Sequence, residues 1–313
     1  MAAVKIEVNK IHTLTGHRDC IYSLEQTGEP NSFFSAAGDG MVVKWDLKNP
    51  DNGELIAKVK NSVYSLCHLP NENQLIVGHN FEGLHLIDLA TKKEIRSSKI
   101  TDSYIFDIKY CNGHVFAATG DGTLVILSVA DLSTIAKIRL SEKSVRTIAI
   151  CPEKNFCAAG YSDNYIRIFD LRTHKLLLEI PAHANSVFTL EFSKDNRFLV
   201  SGSRDAHLKV WDVDSFFEPR ESIVAHMYAI NSICYSPDKN FFASCSMDKS
   251  IKIWDAQQFR LLKVIDKVRH AGHGTSVNKL LWLPYENYLI SGSDDRTISV
   301  WDLKNLSNEG YTN

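Results

Sequence analysis

The chain has 313 residues, 35 basic and 37 acidic side chains, a net charge of −2 and 44% apolar content. So even a balance excludes the global basic field that drives non-specific nucleic-acid binding. No apolar run approaches the ~18–20 residues needed to span a bilayer. The first residues, Met1–Glu7, lack the basic start and apolar centre of a signal peptide. Seven cysteines form no CxxC pair and mostly sit in apolar runs, which fits a reduced intracellular compartment without a disulfide frame.

Taken in chain order, the elements repeat. The segments MVVKWD at 41–46, HLKVWD at 207–212, SIKIWD at 250–255 and TISVWD at 297–302 end alike. Weaker endings between them close at Asp88, Ser128 and Asp170. The successive marks are 42, 40, 42, 42, 43 and 47 residues apart. Each unit holds short runs rich in Val, Ile, Phe and Ser with turns every 8–12 residues, a strand pattern without sustained helical periodicity. Pro70–Asn73, Pro152–Asn155, Pro237–Asn240 and Pro284–Asn287 read as turns in which proline presets φ and the closing Asn takes a positive φ. Asn112-Gly113 is a two-residue hairpin signal. In the loop Phe216–Arg220, two adjacent Phe cannot both point inward, so one is expected to be exposed.

Four units also carry polar residues at fixed offsets. They are His17, Ser35, Asp39 and Trp45; His183, Ser201, Asp205 and Trp211; His226, Ser244, Asp248 and Trp254; and His273, Ser291, Asp295 and Trp301. His to Asp is always 22 residues, Ser to Asp 4 and Asp to Trp 6. A Ser/His/Asp grouping invites a hydrolase reading. Four copies, each with a Trp, instead fit a hydrogen-bonded chain that satisfies buried polar groups. Unit 2 has Val59, Phe81 and Ile87 at the His, Asp and Trp positions. Unit 3 has Lys99, Ala117, Asp121 and Leu127, and unit 4 has Ser141, Ala159, Asp163 and Phe169. Apolar replacement of such a network can be nearly neutral, so these units need not be absent, and they are expected to be the less rigid third of the molecule.

The GH…WD pattern over residues 10–303 resembles the WD40 repeat family. That resemblance implies an all-β fold, a seven-bladed β-propeller of four-stranded antiparallel blades. Lys10–His17 aligns with Leu176–His183, so the N-terminal stretch is expected to supply the outer strand of the last blade. Residues 4–305 are then one propeller domain and 306–313 a flexible tail. In this family the tetrad is structural, and the residue after the first apolar residue of each inner strand faces the channel mouth. In this sequence those residues are Tyr22, Tyr64, Phe106, Arg146, Phe188, Asn231 and Asn278. Two readings of this ring stand, recognition of a ligand or mutual packing in the channel. Arg146 suits a carboxylate, a phosphate or an acidic peptide. Arg204, Met247 and Asp294 widen the candidate face, as do Arg18, Asp19, Tyr228 and the longer loop Asp266–His273. His270 and His273 alone are a weak zinc signal, so no metal and no cofactor is expected.

The resulting expectation is a non-catalytic, cytoplasmic scaffold, with the nucleus left open. It would bind a protein or peptide partner, an acidic one being suited to Arg146, as a monomer or as a subunit of a larger complex. Binding to membrane or nucleic acid is not expected. The alternative is a propeller enzyme or small-ligand binder acting at the central channel.

Overall fold

In the structure, a computed structural model that describes residues 6–305, strand after strand of five to nine residues turns back antiparallel on its predecessor. The described residues form seven four-stranded sheets. Blade 1 consists of Ile21–Gln26, Ser32–Ala37, Met41–Asp46 and Glu54–Lys58, paired in chain order. Blades 2 to 6 repeat that meander from inner strands Val63–Leu69, Ile105–Cys111, Val145–Cys151, Val187–Phe192 and Ile230–Tyr235. Blade 7 takes Val277–Trp282, Leu289–Ser293 and Ile298–Asn305 from the C-terminal end and Ile6–Leu14 from the N-terminal end. The last two pair with Lys10 opposite Trp301 and Leu14 opposite Ile298. Each inner strand packs on those of its neighbours, and Val277–Trp282 packs on Ile21–Gln26, so the ring closes. The expected tail, 306–313, lies outside the described residues, as do residues 4 and 5.

The blades fit together through a size rule visible in the second and inner strands. In blade 5 a Cβ added to Gly202 would come within 2.7 Å of Ile230 in blade 6. Likewise a Cβ on Gly292 in blade 7 would come within 2.5 Å of Ile21 in blade 1. Ala36, Gly78, Ala118, Gly160 and Cys245 occupy the same position in the other blades, following Ser35, Val77, Ala117, Ala159 and Ser244. A small residue on one blade thus admits a β-branched knob from the next, as close-packed interiors require. Fully buried clusters such as Phe198, Val200, Leu208 and Trp254 bridge neighbouring blades in this way.

One turn differs from expectation, and the Phe216–Phe217 turn meets it. Asn73, Asn155 and Asn287 do take positive φ, but in Pro237–Asn240 it is Lys239 (φ 66°) that does so. There the Asp238 carboxylate accepts from the backbone and side-chain N–H groups of Asn240, so the left-handed residue sits one place earlier. In the turn after Asp212, Phe217 is buried against Phe156 and Phe192, while Phe216 is 57% exposed. The corresponding turns of blades 2, 3, 4 and 6 place one left-handed residue, Lys92, Leu132, His174 or Phe259, four after the strand end. Its N–H bonds back to that strand end. In blade 5 that bond comes from Phe217, five residues after Asp212, so this turn is one residue longer and both phenylalanines have positive φ.

Candidate functional site

The tetrads fix the loops that frame the site. Trp211 Nε1 donates to Ser201 Oγ at 3.0 Å, and Ser201 Oγ lies 2.8 Å from His183 Nε2. His183 Nδ1 lies 3.0 Å from Asp205, which also accepts from the N–H groups of Ala184 and His207. Blades 1, 6 and 7 repeat the chain through His17, His226 and His273. All four serines are completely buried. Each serine oxygen is occupied by a Trp donor on one side and an imidazole on the other, so none is free to act as a nucleophile. His273 has both ring nitrogens engaged in this way, and His270 Nδ1 faces the N–H of Asp266.

Blades 2 to 4 rebuild polar networks instead of losing them. The Trp positions are apolar and buried, as Ile87, Leu127 and Phe169. In blade 2, however, the Asn61 N–H donates to His79 Nε2, His79 Nδ1 meets His85 Nε2 at 3.3 Å, and His85 Nδ1 meets Glu94 at 2.6 Å. In blade 3 Thr101 and Thr119 both donate to Asp121. In blade 4 Arg167 pairs with Asp163 and Glu179 and lies over the Tyr161 ring. The expectation of apolar replacement is therefore corrected for these blades. Asp121 and Asp163 keep the tetrad Asp position, but their partners and the whole blade 2 network use other strands and other offsets, so fixed spacing does not reveal them.

The channel mouth is shaped by one backbone device. Each inner strand slips register after its first residue: between Ile21 and Ser23, Val63 and Ser65, Ile105 and Asp107, and at the equivalent points of blades 4 to 7. The residue left out of the pairing is Tyr22, Tyr64, Phe106, Arg146, Phe188, Asn231 or Asn278 in turn. A bulge re-aims the unpaired side chain, and all seven line a single pocket of about 410 Å³.

Around that pocket the residues divide into two groups. Tyr22 meets Tyr64 edge-on at 4.6 Å, and Tyr64 is parallel to Phe106 at 5.8 Å between centroids. The Arg146 guanidinium then lies 3.7 Å from the Phe106 ring centroid and 4.7 Å from that of Phe188. In blades 6 and 7 the amides are spent on structure. Asn231 donates to the Val277 carbonyl, and Asn278 donates to the Ile21 carbonyl and to Asp294. Asp294 is thereby held inward, whereas Arg204 and Met247 are exposed on the rim. Burial without a facing carboxylate pulls the Arg146 pKa down to about 10, leaving it charged at neutral pH.

The WD domain, G-beta repeat family matches residues 8–46, 133–170, 174–212, 217–255 and 265–302, together more than half of the chain. The chain belongs to the WD40 repeat family. The five matched segments hold all four tetrads plus blade 4, and the matches pass over blade 2 and the first three strands of blade 3. This WD40 chain is similar to Striatin homolog of Dictyostelium discoideum, 20% identical over 67% of the chain and 30% of that protein. It is also similar to human Striatin-3, 23% identical over 65% of the chain and 22% of that protein. Human Serine-threonine kinase receptor-associated protein is 25% identical over 62% of the chain and 55% of its own length. The chain thus spans less than two thirds of each of these relatives.

Several lining residues of the WD40 ring escape the family rule. Tyr104, just before the inner strand of blade 3, stacks on Tyr64 and Phe106. Below the mouth, alternate inner-strand residues face the channel, including Ser23, Asp107, Thr189 and Lys279, then Glu25, Lys109 and Glu191. Period-two alternation counted from the bulge would have found them. Most of the upper tier ties blade to blade. Asp107 accepts the Ile148 N–H at 2.8 Å, Thr189 Oγ1 that of Ile233, and Ser232 Oγ that of Leu280. Burial raises the pKa of Glu25 and Glu191, while the nearby Asp107 charge raises that of Lys109. On the rim, Tyr228 and Met227 join Met247 as exposed apolar side chains of blade 6. The loop before blade 7 carries the short helix Lys267–His270, capped by Asp266 and tethered by Lys10 Nζ to the Ala271 carbonyl. Its Val268 is 94% exposed. Among the described residues no helix is long and apolar enough to cross a membrane, and no group of three or more metal-ligating side chains is placed to hold a metal.

Proposed function

We propose that this WD40 propeller is a non-catalytic interaction module whose channel-mouth face takes a protein or peptide partner. The observation that carries the reading is the convergence of seven bulged residues on one pocket, where an aromatic stack presents Arg146 without an internal partner. A ring closed by hydrogen bonds between inner strands loses little freedom on binding, so a short segment anchored by one side chain would be held effectively. The rim residues Arg204, Met247 and Tyr228 add contact area around that anchor. Serine-threonine kinase receptor-associated protein bears a receptor-associated name, and the shared repeats support an associating role here as well. The Ser/His/Asp groups favour no hydrolase, because each serine is buried and doubly engaged.

A small-ligand reading is favoured by one observation, since about 410 Å³ falls within the range of small-molecule pockets. Paired affinity capture from a lysate of the source organism separates the two. Wild type and the double variant Arg146→Glu/Phe188→Ala are compared after both are shown to melt cooperatively. A protein retained by wild type and lost by the variant supports the proposal. Equal retention by both moves the interface away from the mouth, and no retention by either favours the small ligand.

A further inference from the structure

We propose that the pocket is a carboxylate receptor, in which the open edge of the Arg146 guanidinium takes the carboxylate of one Asp or Glu side chain, or of a chain terminus, entering along the channel. This rests on the channel-mouth reading above and names the group that the mouth recognises.

Arg146 stands out by what it does not do. Among the described residues its side chain makes no hydrogen bond and no ion pair, although it is partly buried. The buried Arg167 behaves differently, being matched by Asp163 at 2.9 Å and Glu179 at 2.8 Å. A buried cation is normally paired because its desolvation costs several kcal/mol otherwise. Here the phenylalanines of the two adjoining blades cover the guanidinium and leave its N–H fork as the reactive edge. The one carboxylate lining the same pocket, Asp107, is engaged by the Ile148 N–H and faces Lys109 at 3.6 Å.

Charge points the same way. Lys279 lines the same pocket and has no ion-pair partner among the described residues. The rim adds Arg18, Lys143 and Arg204, all exposed and likewise without an ion pair among those residues. Against these stand Asp107 in the pocket, Asp19 and Asp294 at the rim and, one tier below, Glu25 and Glu191 with Lys109. The cations narrowly outnumber the carboxylates and favour an anion over a cation. A single planar fork matches a planar carboxylate in bidentate fashion, while phosphate recognition typically draws on clusters of arginines. The tyrosine wall opposite supplies an apolar surface for the methylenes that carry the carboxylate.

The test follows the Nε–H resonance of Arg146 in 15N-labelled protein, identified by its loss in Arg146→Lys. N-acetyl-glutamate-N-methylamide, the glutamine analogue, sodium acetate and inorganic phosphate are titrated at constant ionic strength. The expected result is a saturable shift with the glutamate compound and with acetate, and at least a tenfold weaker response to the glutamine analogue. Arg146→Gln, folded by its melting curve, is expected to abolish glutamate binding as read by calorimetry. A response that does not distinguish glutamate from glutamine, or no saturable shift, overturns the proposal. Phosphate binding tighter than carboxylate overturns it in favour of a phosphate site. If carboxylates fail here while partner capture still depends on Arg146 and Phe188, only this assignment falls and the channel-mouth reading stands.

Discussion

Proton positions follow from the donors available in each tetrad. The Trp211 N–H occupies one side of Ser201 Oγ, so the serine proton goes to His183 Nε2, and the imidazole keeps its own proton on Nδ1 for Asp205. A second proton on the ring would have to turn the serine proton away from Nε2 and add a charge in a buried site. Burial accordingly lowers the pKa of His17, His183 and His226, with the partner aspartate opposing the shift only in part. The unfolded chain takes up these protons near pH 6.5, and the folded chain only at lower pH. Stability from these residues is therefore complete above about pH 7 and declines as pH falls from about 6.5 through the folded values. Urea midpoints measured between pH 5 and 8 should show that decline. Asp205, Asp248 and Asp295 have carboxyls held well below their usual range, so their contribution is lost only in strong acid, as pH falls below about 4. Ser201→Ala should strand both His183 Nε2 and Trp211 Nε1 and cost about 1–3 kcal/mol in urea unfolding.

Among elements, the deciding features are the bulge and the contact between neighbouring blades. Gly202→Val would force a side chain into the space held by Ile230 and Thr189. A loss of about 1–3 kcal/mol is expected from overpacking, visible as a lowered thermal midpoint. Blades 2 to 4 lack the Trp-anchored chain, and the blade 2 network ends on Glu94, which is about half exposed. Native-state hydrogen exchange should show earlier opening of blades 2 to 4 than of blades 5 to 7. Uniform protection around the ring would show that the substitute networks hold as firmly as the tetrads. The turn at Phe216 and Phe217 shows how a single extra residue acts. It leaves the buried slot filled by Phe217 and places Phe216 outside.

At the scale of the molecule, closure depends on both ends of the chain. Ile6–Leu14 covers the edge of Ile298–Asn305, buries Ile6 and Leu14, and brings Lys10 over the Trp301 ring. Removing residues 1–14 would leave blade 7 with three strands and an unpaired edge, a template for intermolecular pairing. Light scattering should report association, and the thermal transition should broaden or split. The same closure sets the channel mouth, because Asn278 of blade 7 bonds to Ile21 of blade 1 across the seam.

The sequence alone determined the repeat, its seven units and the tetrads, because each is written as a fixed offset along the chain. The family resemblance made the units blades and the N-terminal stretch the outer strand of the last one. The sequence also marked the seven mouth positions, though through that resemblance and not through the bulge that turns them inward. What only the tertiary structure decided is which polar groups are already satisfied. Asn231, Asn278 and Asp294 look as available as Arg146 in the sequence, yet their bonds to neighbouring residues engage them and leave the guanidinium open. The networks of blades 2 to 4 were hidden for the same reason: His79, His85 and Glu94 meet only after strand register is set. Hydrogen-bond partners between strands are fixed by register and by ring closure, and neither has a local signature in the chain.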